Sequence, residues 1–156
     1  MAESSCHGLP IIVAHYDLQG HPRLTEHWNL AILASHQTVH IFEVRGNSDS
    51  FTYMPELNIA SPLNQMSNYR GGCHVGYMPA DSVERIREKL RDVPVVKYGS
   101  YWDGQIWCMN AIKLLKEEGY IFPKMNEPHV RKELAEDMER WQQAEDTIDE
   151  RLLARK

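Results

Sequence analysis

Two histidines and a helix start carry the chemistry this chain could do. His27 lies in His27-Trp28-Asn29-Leu30 and His40 in Val39-His40-Ile41-Phe42, both in segments that alternate like strands. Downstream, Tyr101-Trp102-Asp103-Gly104-Gln105-Ile106-Trp107-Cys108 opens a strongly patterned helix. A strand histidine facing a helix N-terminus is the frame of a thiol hydrolase or acyltransferase. The helix end favours negative charge, the histidine takes a proton, and a second polar group orients the histidine. Here the helix start carries Gly104, which has no side chain to attack anything.

The elements that must position these residues follow from periodicity. Leu9 to His15 is a short apolar run and reads as the first strand. His27 to Leu33 alternates, with Trp28, Leu30 and Ile32 on one face and His27, Asn29, Ala31 and Leu33 on the other. Val39 to Val44 follows after a turn, giving an antiparallel hairpin, and Phe51 to Tyr53 is a third, short strand. Pro55 to Gly72 is rich in Pro, Asn, Ser and Gly and reads as a functional loop or lid. Cys73 to Met78 returns to the sheet. Asp81-Ser82-Val83-Glu84 is a capping box before a helix that ends by Pro94, and Val95 to Tyr98 is extended. Asp103 to Glu118 is the clearest helix, with Trp107, Ala111, Leu114 and Leu115 in an apolar stripe and Gly119 at its end. Glu127 to Lys156 reads as one long amphipathic helix. Its seam of Val130, Leu134, Met138, Trp141, Ile148 and Leu152 either packs on the domain or forms a homodimer. The expectation is an α+β domain over residues 1–125, an antiparallel sheet packed against helices, with a C-terminal helix over 126–156.

Composition narrows the partners. The chain has 156 residues, 42% of them hydrophobic, which suits one ordinary core. No apolar run approaches the roughly 18 residues of a membrane span. A net charge of −5 without a dense Lys/Arg cluster argues against nucleic acid as the main partner. Cys6, Cys73 and Cys108 form no CxxC pair, and the first ten residues lack a signal pattern, so a reducing, cytoplasmic setting is expected. No HExxH occurs, and His36 and His40 have helical spacing inside a strand–turn–strand pattern. Neither a metal nor another cofactor is expected.

His27-Trp28-Asn29-Leu30-Ala31-Ile32 followed by Val39-His40-Ile41 resembles the strand pair of the lecithin:retinol acyltransferase group, in the circularly permuted papain-like superfamily. Fungal proteins with a His-Trp strand and an Asn-Cys-Gln-x-Trp helix start are more similar still. Asp103-Gly104-Gln105-Ile106-Trp107 matches that motif at Gln105 and Trp107 and departs at Asp103 for Asn and Gly104 for Cys. The resemblance spans residues 9–122. It implies a papain-like fold, with His27 as base and His40 as its orienter, and acyl-thioester chemistry that the loss of cysteine removes.

Three functions stay open on these residues. One is a cofactor-free small-molecule enzyme of isomerase, cyclase or lyase type. It would use His27, His40 and Asp103 for acid–base work, with Gly104, Gln105, Trp28 and Tyr69 around the substrate. The second is a pseudoenzyme that binds or scaffolds, with the C-terminal helix as its contact surface. The third is a cysteine hydrolase that uses Cys108 or Cys73. Each residue also has a plainer role. Asp103 suits a helix N-cap, Trp28 and Trp107 suit core anchors, and a strand histidine is often simply hydrogen-bonded.

Overall fold

The computed structural model describes residues 8–17, 26–46, 51–96 and 103–153. The architecture is α+β. Five antiparallel strands form the main sheet: β1 (Leu9–Asp17), β2 (Glu26–Leu33), β3 (Val39–Phe42), β6 (Glu56–Ile59) and β7 (Tyr69–Met78), in spatial order β6-β3-β2-β1-β7. Two short strands, β4 (Val44–Arg45) and β5 (Thr52–Tyr53), pair separately. The helices are α1 (Val83–Lys89), α2 (Gly104–Glu117), α3 (Glu127–Gln142) and α4 (Ile148–Leu153).

Alternation along the strands builds two apolar layers. Ile11 and Val13 of β1, Trp28, Leu30 and Ile32 of β2, and Phe42 face a core filled by α1, α2 and α3. Ile12, Ala14 and Tyr16, with Ala31, Leu33, Val39 and Ile41, face the other way, under Leu63, Ile148 and Leu152. The central strands are therefore buried on both faces. The β2–β3 hairpin pairs Leu33 with Val39 and Leu30 with Phe42.

Besides the break of the expected Val39–Val44 strand into β3 and β4, which lie in different sheets, three elements differ from expectation. The presumed loop over residues 55–72 contains strand β6, a 3-10 turn at Leu63–Gln65 and the start of β7. Asn58 holds a left-handed φ of 59° where β6 shifts register against β3, an irregularity that hides the strand in a Pro- and Asn-rich sequence. At α1 the expected capping residue, Asp81, lies inside a 3-10 turn over Ala80–Ser82 that leads into the helix, and Ser82, at the cap position, makes no side-chain cap hydrogen bond.

The third difference is at the C-terminus. The chain does not run on as one helix: Ala144 takes a φ of 60° and α4 starts afresh at Ile148. Asp137 explains the fold-back. Its buried carboxylate accepts hydrogen bonds from Gly72 N at 2.8 Å and Ile148 N at 3.0 Å, and pairs with Arg151 at 3.2 Å. One residue thus ties α3, α4 and β7 together. Most of the seam packs on the chain's own sheet. Val130 and Leu134 lie in one core, while Ile148 and Leu152 pack against the other. Trp141, 42% exposed, carries the Arg70 guanidinium over its ring at 4.1 Å. This wrap covers β7, an edge strand of the sheet. Residues 120–122 add to that cover: Phe122 N donates to Val75 O, and a side chain at Gly76 would collide with the Tyr120 carbonyl.

Candidate functional site

The start of α2 is set by local chemistry. Asp103 has an extended backbone, and its Oδ1 accepts from Ile106 N at 3.1 Å, an N-cap that stabilises by about 1 kcal/mol. The apolar stripe then fixes the helix against β2, with Trp107, Cys108, Ala111 and Leu115 fully buried. This brings the first helical residue over the ends of β2 and β4. A Cβ built on Gly104 would lie 3.6 Å from Val44 Cγ2, 3.8 Å from His27 Nδ1 and 3.9 Å from His27 Cε1. These are ordinary van der Waals contacts, so the position accepts a Cβ without collision.

The other ring nitrogen of His27 is engaged. Nε2 lies 2.7 Å from Glu43 Oε1. The same oxygen accepts from Asn29 Nδ2 at 3.0 Å, and Asn29 Oδ1 accepts from the Tyr16 hydroxyl at 3.3 Å. The second carboxylate oxygen accepts from Arg45 Nε. Burial by itself would push the Glu43 carboxyl up. The hydrogen bonds from His27 and Asn29, the His27 charge and the Arg45 hydrogen bond outweigh it and hold the group below the usual glutamate value. An ionised carboxylate only accepts, so the neutral ring carries its proton on Nε2. Nδ1 then keeps its lone pair, facing the space at Gly104. Glu43 is sealed, with its side chain 4% exposed, whereas the His27 side chain is 24% exposed.

Glu43 takes the place expected of His40. His40 stands opposite Ile32, five residues along the strand from His27 and therefore on the opposite face, roughly 16 Å away. Its Nδ1 accepts from Asn58 N at 2.9 Å, inside the β3–β6 irregularity, and burial pushes its pKa down. His40 supports the fold and does not orient His27. Trp28 also faces away from His27. It is a core residue, 1% exposed, with the Arg131 guanidinium 4.7 Å from its ring centroid.

Tyr69 begins strand β7 and is buried, not part of a covering loop. Its hydroxyl donates to Asp149 Oδ1 at 2.8 Å, and it meets His27 only through Tyr16, whose ring lies 5.8 Å from Tyr69 and 5.9 Å from His27. Gln105 is half-buried at the second position of α2. Asp103 is observed as the helix cap, and Tyr101, Trp102 and Cys6 lie outside the described residues.

Neither described thiol suits nucleophilic work. Cys108 is fully buried, and burial first, then the charges of Glu43 and Asp103, push its pKa well up. Cys73 is buried too, and its thiol lies 3.4 Å from Glu133 Oε1, so burial and that carboxylate push it up as well. Among the described residues no group of three His, Cys, Asp or Glu side chains could hold a metal ion, and no helix is long and apolar enough to cross a membrane. Comparison with known proteins adds nothing to this geometry: no protein-family model, no curated protein and no solved structure matches the chain.

Sequence reasoning missed Glu43. The signal was present, because a register of Leu33 against Val39 places Asn29 opposite residue 43. A charged residue between Phe42 and Val44, in an otherwise apolar strand, marks a buried carboxylate that needs partners.

Proposed function

We propose that the chain is a small-molecule enzyme that performs acid–base chemistry without a covalent intermediate, on a circularly permuted papain-like scaffold. His27 is the base and Glu43 its orienter. The observation that carries this reading is the placement of His27: Nε2 is tied to Glu43 at 2.7 Å, while Nδ1 is 3.8 Å from where a Cβ on Gly104 would lie. A nucleophile would stand at that position in a thiol enzyme. Here a substrate atom occupies it.

The chemistry follows from the parts. Nδ1 takes a proton from the substrate, whose bonding electrons stay behind on the substrate. Glu43 stabilises the imidazolium that forms. Negative charge developing on the substrate lies near the α2 N-terminus, which carries about half a positive charge. Nδ1 then returns the proton to another substrate atom or to a departing group. Isomerisation, cyclisation and elimination all fit that cycle. A positioned base of this kind contributes roughly 10²- to 10⁴-fold in rate.

The test is comparative profiling of a metabolite extract. Wild-type protein should deplete a component and yield an isomer or an elimination product, and His27→Ala should not. Depletion that survives His27→Ala overturns the reading. A component that wild type binds and returns unchanged establishes a binding protein instead.

A further inference from the structure

The β1–β2 sheet face that carries His27 is largely apolar, and Asn29 of β2 and Tyr16 of β1 bring polar groups into it. Asn29 and Tyr16 lie among Ile12, Ala14, Ala31 and Leu33, both buried. Placing an amide and a hydroxyl there is costly unless both are satisfied. They are satisfied by one chain of contacts that ends at the proposed base. The Tyr16 hydroxyl donates to Asn29 Oδ1, and Asn29 Nδ2 donates to the Glu43 oxygen that also receives His27 Nε2.

We propose that Asn29 and Tyr16 are positioning residues for His27, acting through the Glu43 carboxylate to fix the ring and its tautomer. The inference rests on His27 being the base. Oε1 has two donors, so the carboxylate cannot rotate away from His27 without also breaking the Asn29 bond. The amide must present N–H to Glu43, since its carbonyl would face a negative oxygen. The Tyr16 hydroxyl on Oδ1 favours that orientation. Burial pushes the Tyr16 pKa up, which keeps its proton available to donate. Tyr16 itself is clamped: its ring packs edge-on against Tyr69, whose hydroxyl is held by Asp149, which in turn accepts from the Thr147 hydroxyl at 2.8 Å. The atoms nearest the Gly104 position belong to Val44 and His27, not to Asn29 or Tyr16. The effect of Asn29 and Tyr16 reaches a substrate only through the direction in which Nδ1 points.

Imidazole nitrogen NMR reads this without a substrate. Wild type should show neutral His27 as the Nε2–H tautomer alone. Tyr16→Phe keeps the ring packing and removes only the donor, and Asn29→Ala removes the amide. Both should give shifts averaged over two tautomers, as should Glu43→Gln, whereas the distant core truncation Leu134→Ala should not. In the reaction found by profiling, kcat should fall about 10- to 100-fold with little change in KM. A single Nε2–H tautomer in folded Tyr16→Phe and Asn29→Ala, beside a shifted Glu43→Gln, overturns the proposal. The expected tautomer changes in a protein without turnover would instead sink the proton-transfer reading and leave the positioning intact.

Discussion

Glu43 and Asp137 are both buried carboxylates, and they are satisfied in different ways. Glu43, beside β2, is held by the side chains of His27, Asn29 and Arg45. Asp137, at the β7 edge, is held by the backbone N–H groups of Gly72 and Ile148, with Arg140 and Arg151 beside it. A carboxylate bound to backbone joins segments of chain. A carboxylate bound to a titratable ring orients that ring and stabilises positive charge on it, and the other ring nitrogen here faces the Gly104 position. The first arrangement serves the fold and the second serves chemistry.

The largest expected effect is a double dissociation between the two. Asp137→Ala leaves two backbone donors and the two guanidinium groups short of a partner, so it should cost about 3 kcal/mol, or about 10 °C in Tm. It should leave the His27 tautomer and kcat near wild type below that temperature. Glu43→Gln should do the reverse, lowering kcat by about 10² or more while unfolding shifts far less. Urea unfolding and initial rates on both variants decide it. If Asp137→Ala abolishes turnover in a folded protein, the division of roles is wrong.

Gly104→Cys sharpens the comparison from the chemical side. The position accepts a Cβ without collision, and the new thiol would lie at a helix N-terminus beside His27 Nδ1. Its pKa should fall to about 7.5 or below. Iodoacetamide at pH 6.5 should label residue 104, mapped by peptide mass, and adding His27→Ala should slow that labelling. Buried Cys73 and Cys108 serve as internal controls. Labelling at the rate of an ordinary exposed thiol would show that the His27 end lacks the polarity assigned to it.

Much of the His27 end was legible because its signals are local. Asp103 and the stripe from Trp107 to Leu115 mark where α2 starts, and strict alternation in β2 sets His27 opposite to Trp28. What escaped was parity between strands, which excludes His40 and selects Glu43. The β7 end was less legible because its breaks carry weak signals. Ala144 gives no warning of a left-handed turn. The restart of α4 did have one: Thr147-Ile148-Asp149-Glu150 has capping-box spacing, and Glu150 accepts from Thr147 N at 2.9 Å. Strand β6 rests on pairing with β3 and on the His40–Asn58 hydrogen bond, contacts no short window can show.

The smallest effect sets Glu43 against Asp149, the buried carboxylate at the far end of the Tyr16–Tyr69 contact. The two shift in opposite directions. Glu43 lies below its ordinary 4.5, since hydrogen bonds and the His27 charge outweigh burial. Asp149 lies above its ordinary 3.8, since burial outweighs the hydrogen bonds from Tyr69 and Thr147. A depressed carboxyl adds stability that is present above its unfolded value and lost as pH falls through the folded one. A raised carboxyl adds stability that is present below its unfolded value and lost as pH rises through the folded one. Urea unfolding between pH 3 and 7 should therefore show Glu43→Gln flattening the loss toward acid. Asp149→Asn should remove a loss toward neutral pH. Two variants with the same slope change would mean that the His27 side chain does not offset the burial of Glu43, and the contrast between a chemical and a structural carboxylate would lose its electrostatic basis.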